Sequence, residues 1–219
     1  MTFVIILFLI AAALVTPYVI AIIIDDETEK TNNPISNHQK SLSSIEKGEQ
    51  GEHLVAYHLN ETNSIHKRII NNIVIKTAYD RTSQIDHILI NEYGIFVIET
   101  KNYDGLIFGN YESKFWNQYI GVNNYTFYNP IMQNETHIKR LKEVLQVEHS
   151  SQYKFHSVIV FIKNNAEDIN EHNVINLSQL VDYINSFTVK TLTVDEIESV
   201  YCTLLSIKHM YYEHIYEEG

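Results

Sequence analysis

One candidate β-hairpin decides the fold of this chain: Gln84-Ile-Asp-His-Ile-Leu-Ile90, Asn91-Glu-Tyr-Gly94, Ile95-Phe-Val-Ile-Glu-Thr-Lys101. Both flanks are rich in β-branched and apolar residues, and the four residues between them end in glycine. This pattern is typical of two antiparallel strands joined by a short loop. With a four-residue loop, Ile90 faces Ile95, Ile88 faces Val97, and the register continues away from the loop in steps of two residues.

The same register predicts that two carboxylates meet across the hairpin. Asp86 is placed opposite Glu99, and like charges directly opposite each other destabilise a sheet. A divalent cation between them would remove the conflict, and Lys101 lies two residues beyond Glu99 on the same strand face. The hairpin therefore predicts a metal-dependent catalytic centre. A plain salt bridge between Lys101 and Glu99 is the alternative, but it leaves Asp86 unexplained.

The N-terminus predicts a membrane anchor. Residues 3–24 are apolar except for Thr16, Pro17 and Tyr18, and this length can span a hydrocarbon layer of about 30 Å. A cleaved signal peptide is the competing interpretation; no basic residue precedes the run and no small-residue cleavage site ends it. Basic residues follow the run but do not precede it, which favours a single-pass protein of the cell membrane with its C-terminal domain in the cytoplasm.

The acidity of the chain is concentrated in its tail. The formal net charge is −11, yet residues 46–166 carry 13 acidic and 12 basic residues, whereas residues 167–219 carry 10 acidic and 2 basic ones. Because the part that contains the hairpin is nearly neutral, the overall charge does not exclude a nucleic-acid partner there.

The order of predicted elements indicates an α/β fold in which a mixed sheet is flanked by helices. Residues 1–24 are the anchor, 25–44 a flexible linker, 45–165 the main domain, and 166–219 an acidic helical extension packed on the same domain. Trp116, with Phe115 and Tyr119, is predicted to pack on the sheet. Helices are predicted at 45–60, 130–147, 178–187 and 194–212, and strands at 69–76, 84–90, 95–101, 106–108, 115–120, 125–128 and 155–161.

The first predicted helix of the main domain carries an acid on its apolar stripe. Glu52 falls within the face that should meet the sheet, where a carboxylate is costly unless it is paired or binds a cation. Gly48 and Gly51 each lower helix propensity by about 1 kcal/mol relative to alanine. We interpret both glycines as places where another element packs closely against the helix. The alternative is a different helix phase, with Glu52 on the surface.

Four blocks of sequence resemble the NERD (nuclease-related domain) family, a branch of the PD-(D/E)XK nuclease superfamily. They occur in the expected order and on the expected elements, over roughly residues 46–161. Ser83-Gln-Ile85 stands where the superfamily name places a proline, as in NERD sequences. The blocks are Gly48-Glu-Gln-Gly51-Glu52, Gln84-Ile-Asp86-His87, Gly94-Ile-Phe-Val-Ile-Glu99-Thr-Lys101-Asn102 and Asn129-Pro-Ile-Met-Gln133-Asn134.

This resemblance implies a restriction-endonuclease-like fold and a role for each matching residue. Asp86 and Glu99 would hold Mg²⁺ or Mn²⁺, the Thr100 carbonyl would add a ligand, and Glu52 would complete or support the metal site. Lys101 would act on the attacking water or the phosphate. Gln133 would be a polar residue near the centre. The implied activity is hydrolysis of phosphodiester bonds, with DNA as the expected substrate and an endonuclease mode of attack.

Two further interpretations stay open. The chain could be a catalytically inactive nuclease-like fold that serves as a membrane-tethered module for nucleic-acid binding or other interactions, which would suit its neutral site half and acidic tail. It could also be a secreted nuclease released by signal cleavage. Among nearby residues, His137 and Arg140 share a helical face with Gln133, where contact with phosphate and exposure to solvent are equally compatible with the pattern.

Overall fold

The computed structural model of the chain describes residues 34–76, 82–147, 153–166 and 168–217. Residues 43–219 form one compact unit, and the packing described below lies within it. The helices are α1 (Pro34–Asn60), α2 (Pro130–Val144), α3 (Leu180–Asn185, preceded by a 3₁₀ turn at Leu177–Gln179) and α4 (Val194–Glu217). The strands are β1 (Arg68–Lys76), β2 (Thr82–Asn91), β3 (Gly94–Lys101), β4 (Leu106–Phe108), β5 (Phe115–Ile120), β6 (Asn123–Tyr128), β7 (Phe155–Phe161) and β8 (Val174–Asn176).

The central hairpin pairs in the predicted register, but its loop is shorter than predicted. Ile88 pairs with Val97 and Ile90 with Ile95, which confirms the alternation of apolar residues as the determinant of register. The ladder continues to a pair between Asn91 and Gly94, so the loop has two residues instead of four. Gly94 has φ +142°, and a Cβ there would lie 2.6 Å from the Lys154 carbonyl, so only glycine fits this turn.

The hairpin lies inside a five-stranded sheet ordered β1-β2-β3-β7-β8. β1, β2 and β3 pair antiparallel, whereas β3, β7 and β8 pair in parallel, so the sheet is mixed as predicted. One face packs against α1 and α3 through a core that includes Val55, Leu59 and Leu180. The other packs against α2 and α4 through Leu141 and Leu204. Helices therefore cover both faces, and the acidic C-terminal part supplies β8 and α4 to the same core.

Strands β4, β5 and β6 form a second sheet of three antiparallel strands, called the small sheet below. Trp116 is fully buried and stacks on Phe161 of the main sheet at 6.4 Å between ring centres, as predicted. The prediction for its neighbours Phe115 and Tyr119 was wrong, because both side chains are exposed. Successive residues of a strand point to opposite faces, so Phe115 and Tyr119, at odd spacings from Trp116, cannot share its buried face.

Several element boundaries differ from the prediction. α1 begins at Pro34, eleven residues before the predicted start, so part of the predicted linker is helical. Proline is well accommodated at the first helical position because its missing N–H has no partner there. Strand β8 was not predicted, and the helix predicted at 178–187 divides into the 3₁₀ turn and α3.

The predicted anchor at residues 3–24 lies outside the described residues. None of the helices that the structure describes is long and apolar enough to cross a membrane.

Close packing explains one of the two helical glycines but not the other. A Cβ at Gly51 would lie 2.9 Å from the Asn102 Cβ and 3.2 Å from a side-chain carbon of Ile162. A Cβ at Gly48 would meet nothing within 4 Å, so the packing interpretation was wrong there. Gly51 therefore marks where α1 touches the segment that follows β3.

The two glycines give a matched stability test. We expect Gly48→Ala to raise the free energy of unfolding by up to about 1 kcal/mol, because alanine has the higher helix propensity and finds free space. Gly51→Ala should lower it by about 1 kcal/mol or more, since the added methyl overpacks the contact with Asn102. Urea denaturation of the two variants measures both effects. Equal gains in stability would contradict the assigned close contact.

Candidate active site

The two strands of the central hairpin stop pairing at Asp86, at the end away from the loop. The ladder between β2 and β3 stops at the pair of His87 and Ile98, and the ladder between β1 and β2 has no pair at Asp86. The predicted cross-strand pair of Asp86 and Glu99 therefore lies one step beyond the last ladder pair. The Asp86 Oδ2 accepts a hydrogen bond from the Thr100 backbone N–H at 2.8 Å. A carboxylate thus occupies the gap where the backbone ladder ends.

A left-handed residue lies on β1 beside this gap. Asn72, which would face Asp86 in the ladder, has φ +51°, an uncommon conformation for a non-glycine residue in a strand. On β2, both Ile85 and Ile88 join the core beside α4, although an odd spacing should place them on opposite faces. The alternation of side chains between the two faces of the sheet is therefore interrupted on β2 next to Asp86. Local distortions of this kind are frequent next to active sites, where they redirect a side chain.

Glu99 is the most deeply buried acid of the site. Its side chain is 3% exposed, and its Oε1 accepts a hydrogen bond from Lys101 Nζ at 2.7 Å. Its Oε2 lies 3.3 Å from His137 Nε2. Burial alone would raise the pKa of Glu99, but Lys101 and His137 together lower it to about 2. Burial would likewise lower the pKa of Lys101, but the Glu99 carboxylate raises it above its ordinary value. The two groups hold each other in their charged forms.

Helix α2 supplies two side chains to this pair. Gln133 Oε1 accepts a second hydrogen bond from Lys101 Nζ at 3.1 Å. His137, one helical turn further, is buried and its Nδ1 lies 2.7 Å from Ser83 Oγ. For His137 the sequence pattern is compatible with either phosphate contact or exposure to solvent, and it gives no prediction for Ser83. The i to i+4 spacing of Gln133 and His137 was the available signal, since it puts both on one helical face.

The carboxylates crowd one another electrostatically. Burial raises the pKa of Asp86 well above its ordinary value, and the charges of Glu99 and Glu52 raise it further. Burial also raises the pKa of Glu52, and the charge of Glu99 adds to this effect, although a hydrogen bond from the Asn72 side chain opposes it. Glu52 is half-buried on α1, near enough to act on both other acids. Three carboxylates thus share a region that contains one lysine.

This donor set fits a hard divalent cation in type and in charge. The available ligands are oxygens, and Glu99 Oε2 is buried without a hydrogen bond. Where side chains are described, no three histidine, cysteine, aspartate or glutamate groups lie close enough together to hold a metal ion. Mg²⁺ is commonly held by one or two carboxylates with water completing its shell, so a third protein ligand is not required.

Of the remaining residues of the region, His87 and Arg140 have structural partners. Thr100 has a buried Oγ1 without a hydrogen bond, and the ligand role of its carbonyl stays a prediction. His87 is buried, with Nδ1 at 2.9 Å from Asn71 Oδ1, and burial lowers its pKa to about 4. A guanidinium N–H of Arg140 donates to the Thr82 carbonyl at 2.9 Å. These contacts place Arg140 at the start of β2.

The fold and this site define a class: a mixed α/β domain with clustered carboxylates and a lysine where the strands of its central hairpin separate. Comparison with known proteins agrees. The model of the nuclease-related domain, NERD, matches residues 47–162. An uncharacterized protein of Bacillus anthracis is 36% identical over 161 residues, which cover 73% of this chain and 76% of that protein. No solved structure matches the chain significantly. The chain therefore belongs to the NERD family, which is part of the PD-(D/E)XK-like nuclease superfamily.

The conformation of Asn72 can be tested with a pair of variants. Asn72→Gly and Asn72→Ala both remove its hydrogen bonds to Gln84 and Glu52. Only alanine keeps a Cβ at positive φ, which costs about 1 kcal/mol. We expect the glycine variant to be more stable than the alanine variant by about that amount in urea denaturation. At neighbouring Asn71, whose φ is not positive, the order should reverse. The same order at both positions would contradict the left-handed conformation.

Proposed function

We propose that the chain is a metal-dependent nuclease that hydrolyses phosphodiester bonds, with DNA as its substrate and an endonuclease mode of attack. Family membership supports a nuclease-like function in general. The observation that carries the finer proposal is the contact of Lys101 with both Glu99 and Gln133 beside the Asp86 gap. Three residues of the family pattern therefore meet: Glu99 and Gln133, which are 34 positions apart in the sequence, both contact the ammonium group of Lys101.

The proposed ion is Mg²⁺ or Mn²⁺, held by Asp86, Glu99 and the Thr100 carbonyl, with Glu52 completing or supporting the site. When bound, such an ion polarises a phosphoryl oxygen and lowers the pKa of a water molecule. Its positive charge would also relieve the repulsion that raises the pKa of Asp86.

The protein residues then act around the scissile phosphate. Lys101 stays protonated beside Glu99, so its ammonium can donate to a phosphate oxygen or orient the attacking water. Gln133 limits the rotation of that ammonium by accepting one of its three N–H groups. His137 Nε2 lies 3.3 Å from Glu99 Oε2, in a charge contact that is not aligned as a hydrogen bond, and its Nδ1 contacts Ser83 Oγ, so we assign His137 a positioning role. Partners of this kind keep ligating groups oriented.

The proposal predicts that the full chain cleaves DNA when Mg²⁺ is added. We expect Asp86→Asn and Glu99→Gln each to lower the cleavage rate at least about 100-fold, the scale of losing a major electrostatic group in an active site. His137→Gln should cost about 10- to 100-fold in activity or metal affinity. Cleavage of circular, linear and single-stranded DNA, with and without Mg²⁺, measures these effects.

The matched control is Glu92→Gln, an acid at the hairpin loop whose carboxylate pairs with the Ser64 hydroxyl, far along the strand from the site. This variant should cleave like the unaltered chain. Full activity of Asp86→Asn, with Mg²⁺ still required, would overturn the assigned residues.

A second candidate function is a catalytically inactive module that binds nucleic acid or another partner. The observation that favours it is that Lys101 and His137 already lie against the two oxygens of Glu99 and balance its charge. Calorimetry separates the two candidates. Stoichiometric Mn²⁺ binding that Asp86→Asn abolishes supports the nuclease, and absence of metal binding by the folded chain supports the module.

We also propose that residues 3–24 anchor the protein in the cell membrane, with the catalytic domain in the cytoplasm. The length and apolarity of this segment and the basic residues after it support this arrangement. Expressed in a bacterial host, the full chain should sediment with membranes, resist extraction by alkaline carbonate and keep its N-terminal residues in mass spectrometry. A mature N-terminus near residue 25 in the soluble fraction would instead identify a signal peptide and a secreted nuclease.

A further inference from the structure

The small sheet turns one of its faces outward. The ladder places Asn117 of β5 beside Phe108 and Thr126, and Tyr119 beside Leu106 and Asn124. Trp116 and Ile107 point to the opposite face, which is buried at these two positions. We call the exposed side the outer face; it consists of Leu106, Phe108, Phe115, Asn117, Tyr119, Asn124, Thr126 and Tyr128.

Aromatic rings dominate this face. Four of its eight side chains are aromatic, and they are between 39% and 52% exposed. They form two edge-to-face pairs, Phe108 with Tyr119 at 5.6 Å and Phe115 with Tyr128 at 6.2 Å between ring centres. Exposed apolar residues are normally scattered singly over a protein surface. A contiguous cluster of this kind is therefore typical of an interaction site.

The chemistry of the outer face suits unpaired nucleobases. Aromatic rings stack on bases regardless of their sequence, and amide or hydroxyl groups can hydrogen-bond base edges. Asn117 on β5 and Asn124 and Thr126 on β6 provide such groups, with Asn124 donating to the Asn117 amide oxygen at 3.3 Å, and none of the eight residues of the face is acidic. A lipid surface or a second copy of the chain would favour a continuous apolar patch, which these three polar residues interrupt.

The first strand of the outer face follows the candidate active site closely along the chain. Only four residues separate Lys101 from Leu106, which limits the distance between their Cα atoms to about 18 Å. The Lys101 Nζ lies 5.9 Å from the Tyr103 ring centre, and that ring packs at 4.7 Å on Phe127, which shares the inner side of the small sheet with Trp116. The lysine thus lies beside the inner side, and a strand held on the outer face would pass the edge of the small sheet and reach the lysine within a few nucleotides.

We propose that the outer face of the small sheet is a stacking platform that binds unpaired bases of single-stranded nucleic acid and leads the strand toward the candidate active site. The substrate class rests on the proposed nuclease function, but the binding itself does not require cleavage. Duplex ends or gaps would engage the platform only where their bases are unpaired, because pairing hides the base faces in the stack.

Binding is tested with the full chain in EDTA, which prevents metal-dependent cleavage, using fluorescently labelled dT and rU oligomers of about ten nucleotides. The DNA and the RNA oligomer should both bind, since base stacking does not depend on the 2′-hydroxyl group. Lys114, whose Nζ lies 5.3 Å from the Phe115 ring centre, places a cation next to the face. The logarithm of affinity should therefore fall with the logarithm of salt concentration at a slope near about −0.7, as for one phosphate contact.

Ring removal distinguishes stacking from simple apolar contact. Phe115→Leu and Tyr119→Leu should each weaken binding at least about fivefold, whereas Tyr119→Phe, which keeps the ring, should bind like the unaltered chain. The control is Tyr57→Leu, which removes a ring that is 63% exposed on α1, outside the platform. Tyr119→Trp adds a direct signature, because fluorescence of the new indole should be quenched by stacked bases while buried Trp116 is unaffected.

Unchanged affinity in both leucine variants, with unfolding midpoints equal to the unaltered chain, would overturn the platform. So would a salt slope steeper than about −3, which would assign the binding to several phosphate contacts elsewhere. Ring-dependent binding to lipid vesicles or ring-dependent dimerisation without oligomer binding would also overturn it. The outcomes are separable from the proposed function: cleavage with ring-independent binding removes only the platform, and ring-dependent binding without Mg²⁺-dependent cleavage removes only the nuclease.

Discussion

A buried carboxylate stays ionised only where the protein supplies opposite charge, and Glu99 shows how this constraint organises the domain. Its partners come from β3 itself and from α2, so α2 must lie across the end of the hairpin. Asn134, between the two α2 residues of the site, fixes this position by donating its amide to the Val97 carbonyl at 2.8 Å and to Ser157 Oγ at 3.0 Å. One helix is thereby fastened to two neighbouring strands while its flanking residues serve the site.

Much of the site could be predicted because the hairpin is specified by a simple rule. Strict alternation of apolar residues leaves one register that buries them, so the neighbourhood of Asp86, Glu99 and Lys101 followed from the sequence. The left-handed Asn72 could not be predicted, since asparagine adopts this conformation in only a minority of cases. The burial of His137 was also hidden, because a histidine at the edge of an apolar stripe is compatible with either environment.

The division into two sheets was the main feature that the sequence did not reveal. Strands of three to six residues, such as β4 and β8, carry too few positions for a clear alternation. On β5, the aromatic residues Phe115, Trp116 and Tyr119 suggest a common core, yet strand geometry places one inward and two outward. Aromatic composition predicts a strand well, but it does not say whether a given ring stabilises the protein or is available to a ligand.

The shortness of the loop between β2 and β3 has a consequence for how the site is specified. Because Asn91 pairs with Gly94, counting outward along the ladder sets Asp86 opposite Glu99, and the Asp86 carboxylate accepts a hydrogen bond from the next backbone N–H, that of Thr100. A residue added within β2 or β3, between the turn and this carboxylate, would shift the register by one and present the other side of β3 to it. The number of strand residues between the turn and Asp86, about six residues or roughly twenty ångströms, therefore sets which groups of β3 meet this carboxylate, and an insertion within that stretch would disrupt the candidate site.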